Sequence, residues 1–84
     1  MYCYLLKCND ETLYCGISND VNKRVANHNK GRGAKYTKNR LPVQLVYVEE
    51  CCDKSSAAKR EYQIKKLNRA AKLILVNSYL VTTT

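Results

Sequence analysis

Two tyrosines, an arginine, a histidine and one glutamate carry the side chains of this sequence best suited to chemistry: Tyr4, Tyr14, Arg24, His28 and Glu61. Phenols and an imidazole can move protons, a guanidinium can clamp an anion, and a carboxylate set among cations needs a partner. Each has a plain structural explanation. Tyr4 and Tyr14 suit half-buried strand positions, Arg24 a helix surface, and His28 the end of a helix where the dipole favours it. Glu61 can pair with Lys65 one turn on, a contact worth roughly 0.3–0.5 kcal/mol on an exposed helix. It is their convergence on one patch of a basic domain that points to a functional site.

The elements that would bring them together can be read from the pattern. Tyr2 to Lys7 and Thr12 to Ile17 are rich in β-formers around a polar Asn9-Asp10-Glu11 turn, which predicts a hairpin. With a three-residue loop, Leu6 faces Tyr14 and Tyr4 faces Gly16, so the two tyrosines project from one face as diagonal neighbours. Ser18 or Asn19 is the expected cap of a helix from Val21 to Asn29, with Asp20 in its first turn and Gly31 at its end. On that helix Arg24 and His28 share a face and are expected to rim the core, while Val21 and Val25 enter it. Gly31 to Arg40 reads as a basic loop. Leu45-Val46-Tyr47-Val48 is a strand buried on both faces, since it does not alternate. Asp53 or Ser55 caps a helix to Leu67, where Glu61 falls on the sheet-facing stripe with Ala57 and Ile64; Asn68 caps a last helix through Leu75. The expected class is α+β, a small three-stranded, mainly antiparallel sheet flanked by helices in the order β-β-α-β-α-α.

Charge defines the partner class. The chain has 84 residues, with Lys and Arg 15 against Asp and Glu 7, a formal +8. All the cations except Lys7 lie in two segments, Lys23 to Arg40 and Lys54 to Lys72. Such segregation suits a polyanion, because phosphate neutralisation with counterion release drives nucleic-acid binding. A membrane surface fits less well, for want of a long basic amphipathic helix with bulky apolar residues opposite its charges. A chain this short buries only roughly 60–65% of its unfolded surface, so a single domain with one shallow site, 1–84, is expected. No apolar run reaches the roughly 18 residues of a membrane span, and the start lacks the pattern of a signal peptide. An intracellular protein is expected, in the cytoplasm, or in the nucleus if the source is eukaryotic or viral. The cysteines Cys3, Cys8, Cys15, Cys51 and Cys52 are odd in number and lack ligand spacing, and read as reduced structural thiols.

The chain resembles the GIY-YIG nucleases, and within them the short single-domain YhbQ-like, UPF0213 type. Tyr2-Cys3-Tyr4 stands at the Gly-Ile-Tyr signature and Tyr14-Cys15-Gly16 at the Tyr-Ile-Gly signature. Lys23-Arg24-Val25 with His28-Asn29 is similar to the family's Arg and His helix. Lys30 to Thr37, Pro42 to Tyr47 and Lys59 to Lys65 are similar to the small-protein subgroup, so the likeness runs from Tyr2 to Val76. The resemblance implies metal-dependent hydrolysis of DNA phosphodiesters, with one divalent ion, Mg²⁺ or Mn²⁺, on Glu61. It implies DNA as partner, with branched or damaged forms and a helper protein in view, and a role in repair or recombination. In-line attack needs a base for the water, a cation on the developing oxyanion and help for the leaving oxygen. Tyr4 is the first choice as base, with Tyr14 and His28 bonding water or phosphate and Arg24 clamping phosphate oxygens. Lys23, Lys30, Arg32, Lys35, Tyr36, Lys38, Arg40 and Lys65 are the expected DNA contacts; Asn68 and Asn77 are both candidates to assist the metal helix. The alternative is a nucleic-acid-binding module on the same fold with little or no cleavage of its own.

Overall fold

A computed structural model describes the backbone of residues 1–83 and the side chains of residues 1–79. Strands β1 (Tyr2–Lys7) and β2 (Leu13–Ser18) form the expected hairpin, with Leu6 opposite Tyr14 and Tyr4 opposite Gly16. Its tip closes through the Cys8 N–H on the Thr12 carbonyl, 2.8 Å, with Glu11 in the left-handed region at φ 69°. That is the three-residue connection the spacing predicts. Strand β3 (Gln44–Glu50) pairs antiparallel with the other side of β1, so the sheet runs β2-β1-β3 and β1 lies at its centre.

Helix α1 (Val21–Asn29) is capped by Asp20, whose carboxylate accepts from the Lys23 N–H at 3.1 Å. Asp20 is thus the cap itself rather than a first-turn residue, because Ser18 is still in the strand and spends its hydroxyl on the Asp20 N–H. Gly31, at φ +77°, returns its N–H to the His28 carbonyl and ends the helix. The stretch expected to be a loop contains a short helix, α2 (Lys35–Lys38), which forms because it can bury Thr37 against α1. Asn29 clasps Val43 through both of its amide groups and ties the end of α1 to the entry of β3.

Asp53 caps α3 (Lys54–Lys65) by accepting from the Ser56 N–H, and Asn68 caps α4 (Arg69–Thr83) by accepting from the Ala71 N–H. The last helix runs past Leu75, where it was expected to stop, since Val76 is buried against the sheet.

The sheet separates two cores. Cys3, Leu5, Cys15, Val46, Tyr47, Ile64 and Val76 pack on the α3 and α4 side. Tyr4, Leu6, Cys8, Val21 and Val43 pack on the α1 side. In β3, Val46 and Tyr47 face the same core although adjacent, because a bulge opposite Leu5 and Leu6 breaks the alternation. The cysteines are free thiols; Cys3 and Cys15 touch at 3.7 Å, and this hydrogen bond with burial pushes the Cys3 thiol up.

Candidate active site

Strand register and one helix assemble four of the five residues. Tyr4 from β1 and Tyr14 from β2 lie on the α1 side of the sheet, as their register requires. Gly16, opposite Tyr4, leaves the space in which the phenol lies: a methyl group there would fall 2.6 Å from the Tyr4 hydroxyl and 2.8 Å from its ring carbon. Only glycine allows that approach.

His28 is not at the rim. It is fully buried, because α2 and the preceding loop fold over it. Its Nε2 meets the Tyr4 hydroxyl at 3.2 Å and its Nδ1 meets Thr37 Oγ1 at 2.8 Å. Gly33 presses so closely that any β-carbon there would collide with the imidazole. The Tyr14 ring stands edge-on to His28 with centroids 5.4 Å apart, and Tyr36 stacks on Tyr14 at 6.0 Å. Burial, then the Arg24 charge, holds the His28 pKa below its ordinary value, so the ring is neutral. Burial pushes the Tyr4 phenol up, opposed by a hydrogen bond from Arg24, which is half-buried beside it.

Tyr4 itself is 0% exposed, so the phenol expected to activate water is sealed from solvent. Tyr14 is the partly open one.

Glu61 stands elsewhere. Its helix covers the other face of the sheet, between buried Ala57 and Ile64, and its field acts on Cys15 and Cys3. Its carboxylate is 24% exposed and pairs with Lys65 at 3.4 Å. Among the described residues no hydrogen bond or ion pair joins it to Tyr4, Tyr14, Arg24 or His28. The edge strand β2 lies between, with Tyr14 on one face and Cys15 on the other. The single patch expected from the sequence is therefore two half-sites astride a strand. A groove of about 420 Å³, lined by Leu13, Tyr14, Cys15, Tyr36, Lys65 and Lys72, passes over that edge.

A metal would find one carboxylate here. Among the described residues no three of His, Cys, Asp or Glu gather to form a cage. A partly exposed carboxylate within reach of water matches a hard cation such as Mg²⁺, which keeps most of its waters. Of the two asparagines, Asn68 is engaged as a cap and Asn77 is exposed on α4.

The expected DNA contacts divide. Lys23, Lys30, Arg32, Lys35, Lys38 and Lys65 are exposed, and Arg32, Lys35 and Lys38 ring a hollow of about 540 Å³ with Gly31 and Gly33. Tyr36 is 40% exposed at the groove. Arg40 is occupied otherwise: it pairs with Asp10 at 3.0 Å and lies 4.1 Å over the Tyr36 ring, fastening α2 to the hairpin tip. Sequence reasoning passed over Thr37 and Gly33. The available signal was one uncharged β-branched residue and a second glycine in a run of cations.

The family model for the GIY-YIG catalytic domain matches residues 1–74, and the chain belongs to that family. Its relatives are more particular. A UPF0213 protein of Staphylococcus saprophyticus is 54% identical over 76 residues, which is 90% of this chain and 93% of the relative. One from Clostridium perfringens is 54% identical over 92% of this chain and 83% of its own. The solution NMR structure of the UPF0213 protein of Bacillus halodurans is 41% identical, with a TM-score of 0.58, and covers 90% of this chain and 81% of its own. That family is a nuclease superfamily; the names of these relatives specify no activity. Among the described residues no helix is long and apolar enough to cross a membrane.

Proposed function

We propose that the protein is an intracellular DNA endonuclease that hydrolyses phosphodiester bonds with a divalent cation, Mg²⁺ or Mn²⁺. The observation that supports this best is the gathering of Tyr4 and Tyr14 over Gly16 with His28 against both and Arg24 beside them, on a sheet whose other side carries Glu61. A divalent ion held by Glu61 would supply positive charge near the leaving oxygen. The protein's own groups supply the rest. Arg24 holds a non-bridging phosphate oxygen and offsets the charge that grows on it. Tyr14, the phenol open to the groove, acts in its phenolate form to take the proton of the attacking water and becomes the neutral phenol; that role passes to it from Tyr4 because a sealed hydroxyl cannot reach water. Tyr4 and His28 form the buried support beneath. Lys65 and Lys72 along the groove, with Arg32, Lys35 and Lys38 around the hollow, hold the DNA strand on either side. Branched or damaged DNA, in repair or recombination, is the substrate class in view.

One observation favours a second reading, a nucleic-acid-binding module without cleavage: Glu61 already has a partner in Lys65. Cleavage of duplex, flap and junction DNA with Mg²⁺ and with Mn²⁺, beside binding without metal, separates the two. Wild type should cut, and Glu61→Gln should lose roughly 10³-fold in rate while binding holds or tightens. Equal cutting by both proteins would remove Glu61 as metal ligand. No cutting of any form by wild type would leave the binding module.

A further inference from the structure

We propose that Thr37 is a positioning residue, which fixes the tautomer of His28 and, through it, the direction of the Tyr4 hydroxyl bond. The hydroxyls of Tyr4 and Thr37, and the neutral imidazole of His28, each carry a single proton to donate. Thr37 Oγ1 has one, and the hydroxyl lies 2.9 Å from the Ala34 carbonyl oxygen, a pure acceptor. If it donates there, its 2.8 Å contact with His28 Nδ1 must be one in which Nδ1–H donates. Nε2 of a neutral imidazole is then bare and accepts from the Tyr4 hydroxyl at 3.2 Å. Every donor in the run Tyr4, His28, Thr37 has one acceptor, and the run ends on a backbone carbonyl.

The opposite tautomer fails at Tyr4. A protonated Nε2 would donate to the phenol oxygen, and the hydroxyl proton of a residue with 0% exposure would have no acceptor among the described residues. An unpaired buried donor costs free energy that the first arrangement avoids. The Ala34 N–H, 3.4 Å from Nδ1 against 3.2 Å for the Tyr4 bond, is the longest contact of the set and the one the first arrangement gives up. Thr37 and His28 are both 0% exposed, so no water substitutes for the missing partners. Glycine at position 33 completes the arrangement by letting the loop close on the ring.

The consequence for cleavage rests on the nuclease reading above; the tautomer does not. His28 is the only histidine, so one imidazole dominates a long-range ¹H–¹⁵N correlation spectrum of labelled protein. At neutral pH the protonated nitrogen should be Nδ1 and the bare one Nε2. In Thr37→Val, which keeps the shape and removes the hydroxyl, the proton should move to Nε2 in part or in full; Thr37→Ser should restore the wild-type pattern. In the nuclease assay Thr37→Val should lose about tenfold or more in kcat with a smaller change in KM, and Thr37→Ser should recover most of it. A wild-type spectrum with the proton on Nε2 overturns the proposal, and that measurement stands even if the valine variant does not fold. The same spectrum in wild type and Thr37→Val also overturns it. The expected spectra without any cleavage by wild type would uphold Thr37 and count against the nuclease.

Discussion

Strand β1 presents Cys3 and Leu5 to α3 and α4, and Tyr4 and Leu6 to α1, and the two sides of the sheet are built differently. On the α3 and α4 side the buried set is apolar apart from thiols and Tyr47. A polar device lies by the β3 edge, where Glu49 accepts from both Tyr47 and Arg60. On the α1 side the centre holds a phenol, an imidazole and a threonine hydroxyl, all fully buried and all hydrogen-bonded. Apolar packing tolerates exchange of similar shapes; a directed chain of hydrogen bonds does not, since each member needs the next to have the right proton. One side should therefore govern stability and the other activity. The half-site at Glu61 is the exception, a polar group on the rim of the apolar side.

The largest effect that sharpens this contrast is expected at Tyr14. Removing its hydroxyl in Tyr14→Phe should lower the single-turnover cleavage rate by roughly 10²–10⁴-fold while the melting temperature barely moves, since the ring and its stack on Tyr36 remain. A rate equal to wild type would make Tyr14 a packing residue and end the contrast. On the opposite face Ile64→Ala should do the reverse. Ile64 is 0% exposed, and its loss should cost about 2–5 kcal/mol in urea unfolding, with the specific activity of the folded fraction unchanged. A fall in activity beyond the unfolded fraction would show that the apolar face also shapes the site.

What could be read in the sequence follows from how local the cause is. The hairpin and its register are set by period-two alternation and a short turn, so the pairing of Tyr4 with Gly16 was accessible. The Arg24 and His28 spacing correctly placed both on one helical face, yet could not tell rim from interior. His28 is buried by a segment nine residues away whose composition reads as a solvated loop, and whose helical turn exists only because Thr37 has a buried partner. Glu61 shows the same limit. Its place on the sheet-facing stripe was legible from Ala57 and Ile64, but which face of the sheet the stripe would meet depends on the path of the chain after β3. Arg40 read as one more cation because Asp10, its partner, is 30 positions earlier.

A smaller effect tests the cations outside both faces. Replacing Arg32, Lys35 and Lys38 by glutamine should flatten the dependence of log affinity on log salt by roughly one per lost phosphate contact, measured on duplex and single-stranded DNA without metal. Cleavage at saturating DNA should fall less than binding does. An unchanged slope would place the DNA elsewhere.

The smallest effect is a pH dependence of stability, and it reads the buried imidazole directly. The charged and titratable groups around His28 are Arg24, on its own helix, and Tyr4 and Tyr14, on the sheet; Thr37 faces it from α2. Burial first, and Arg24 second, lowers its pKa in the folded protein, while the unfolded chain keeps a value of about 6.5. The unfolded state thus takes up the proton first as pH falls. Stability should decline from about pH 7 downward and level off only below the folded-state value. Two carboxylates add a separate step. Asp10, lowered chiefly by the Thr12 hydroxyl, and Asp53, lowered chiefly by the Ser56 N–H, stabilise the fold above the ordinary carboxylate range, a contribution lost below about pH 4. Urea midpoints at about pH 7, 6, 5 and 3.5 should therefore fall in two stages for wild type. His28→Asn, which keeps a donor toward Thr37 and cannot titrate, should lose the upper stage and retain the lower. A wild-type midpoint flat between pH 7 and 5 would mean the imidazole is as free to charge in the fold as out of it, and the α1 side of the sheet would lose its claim to a buried polar centre.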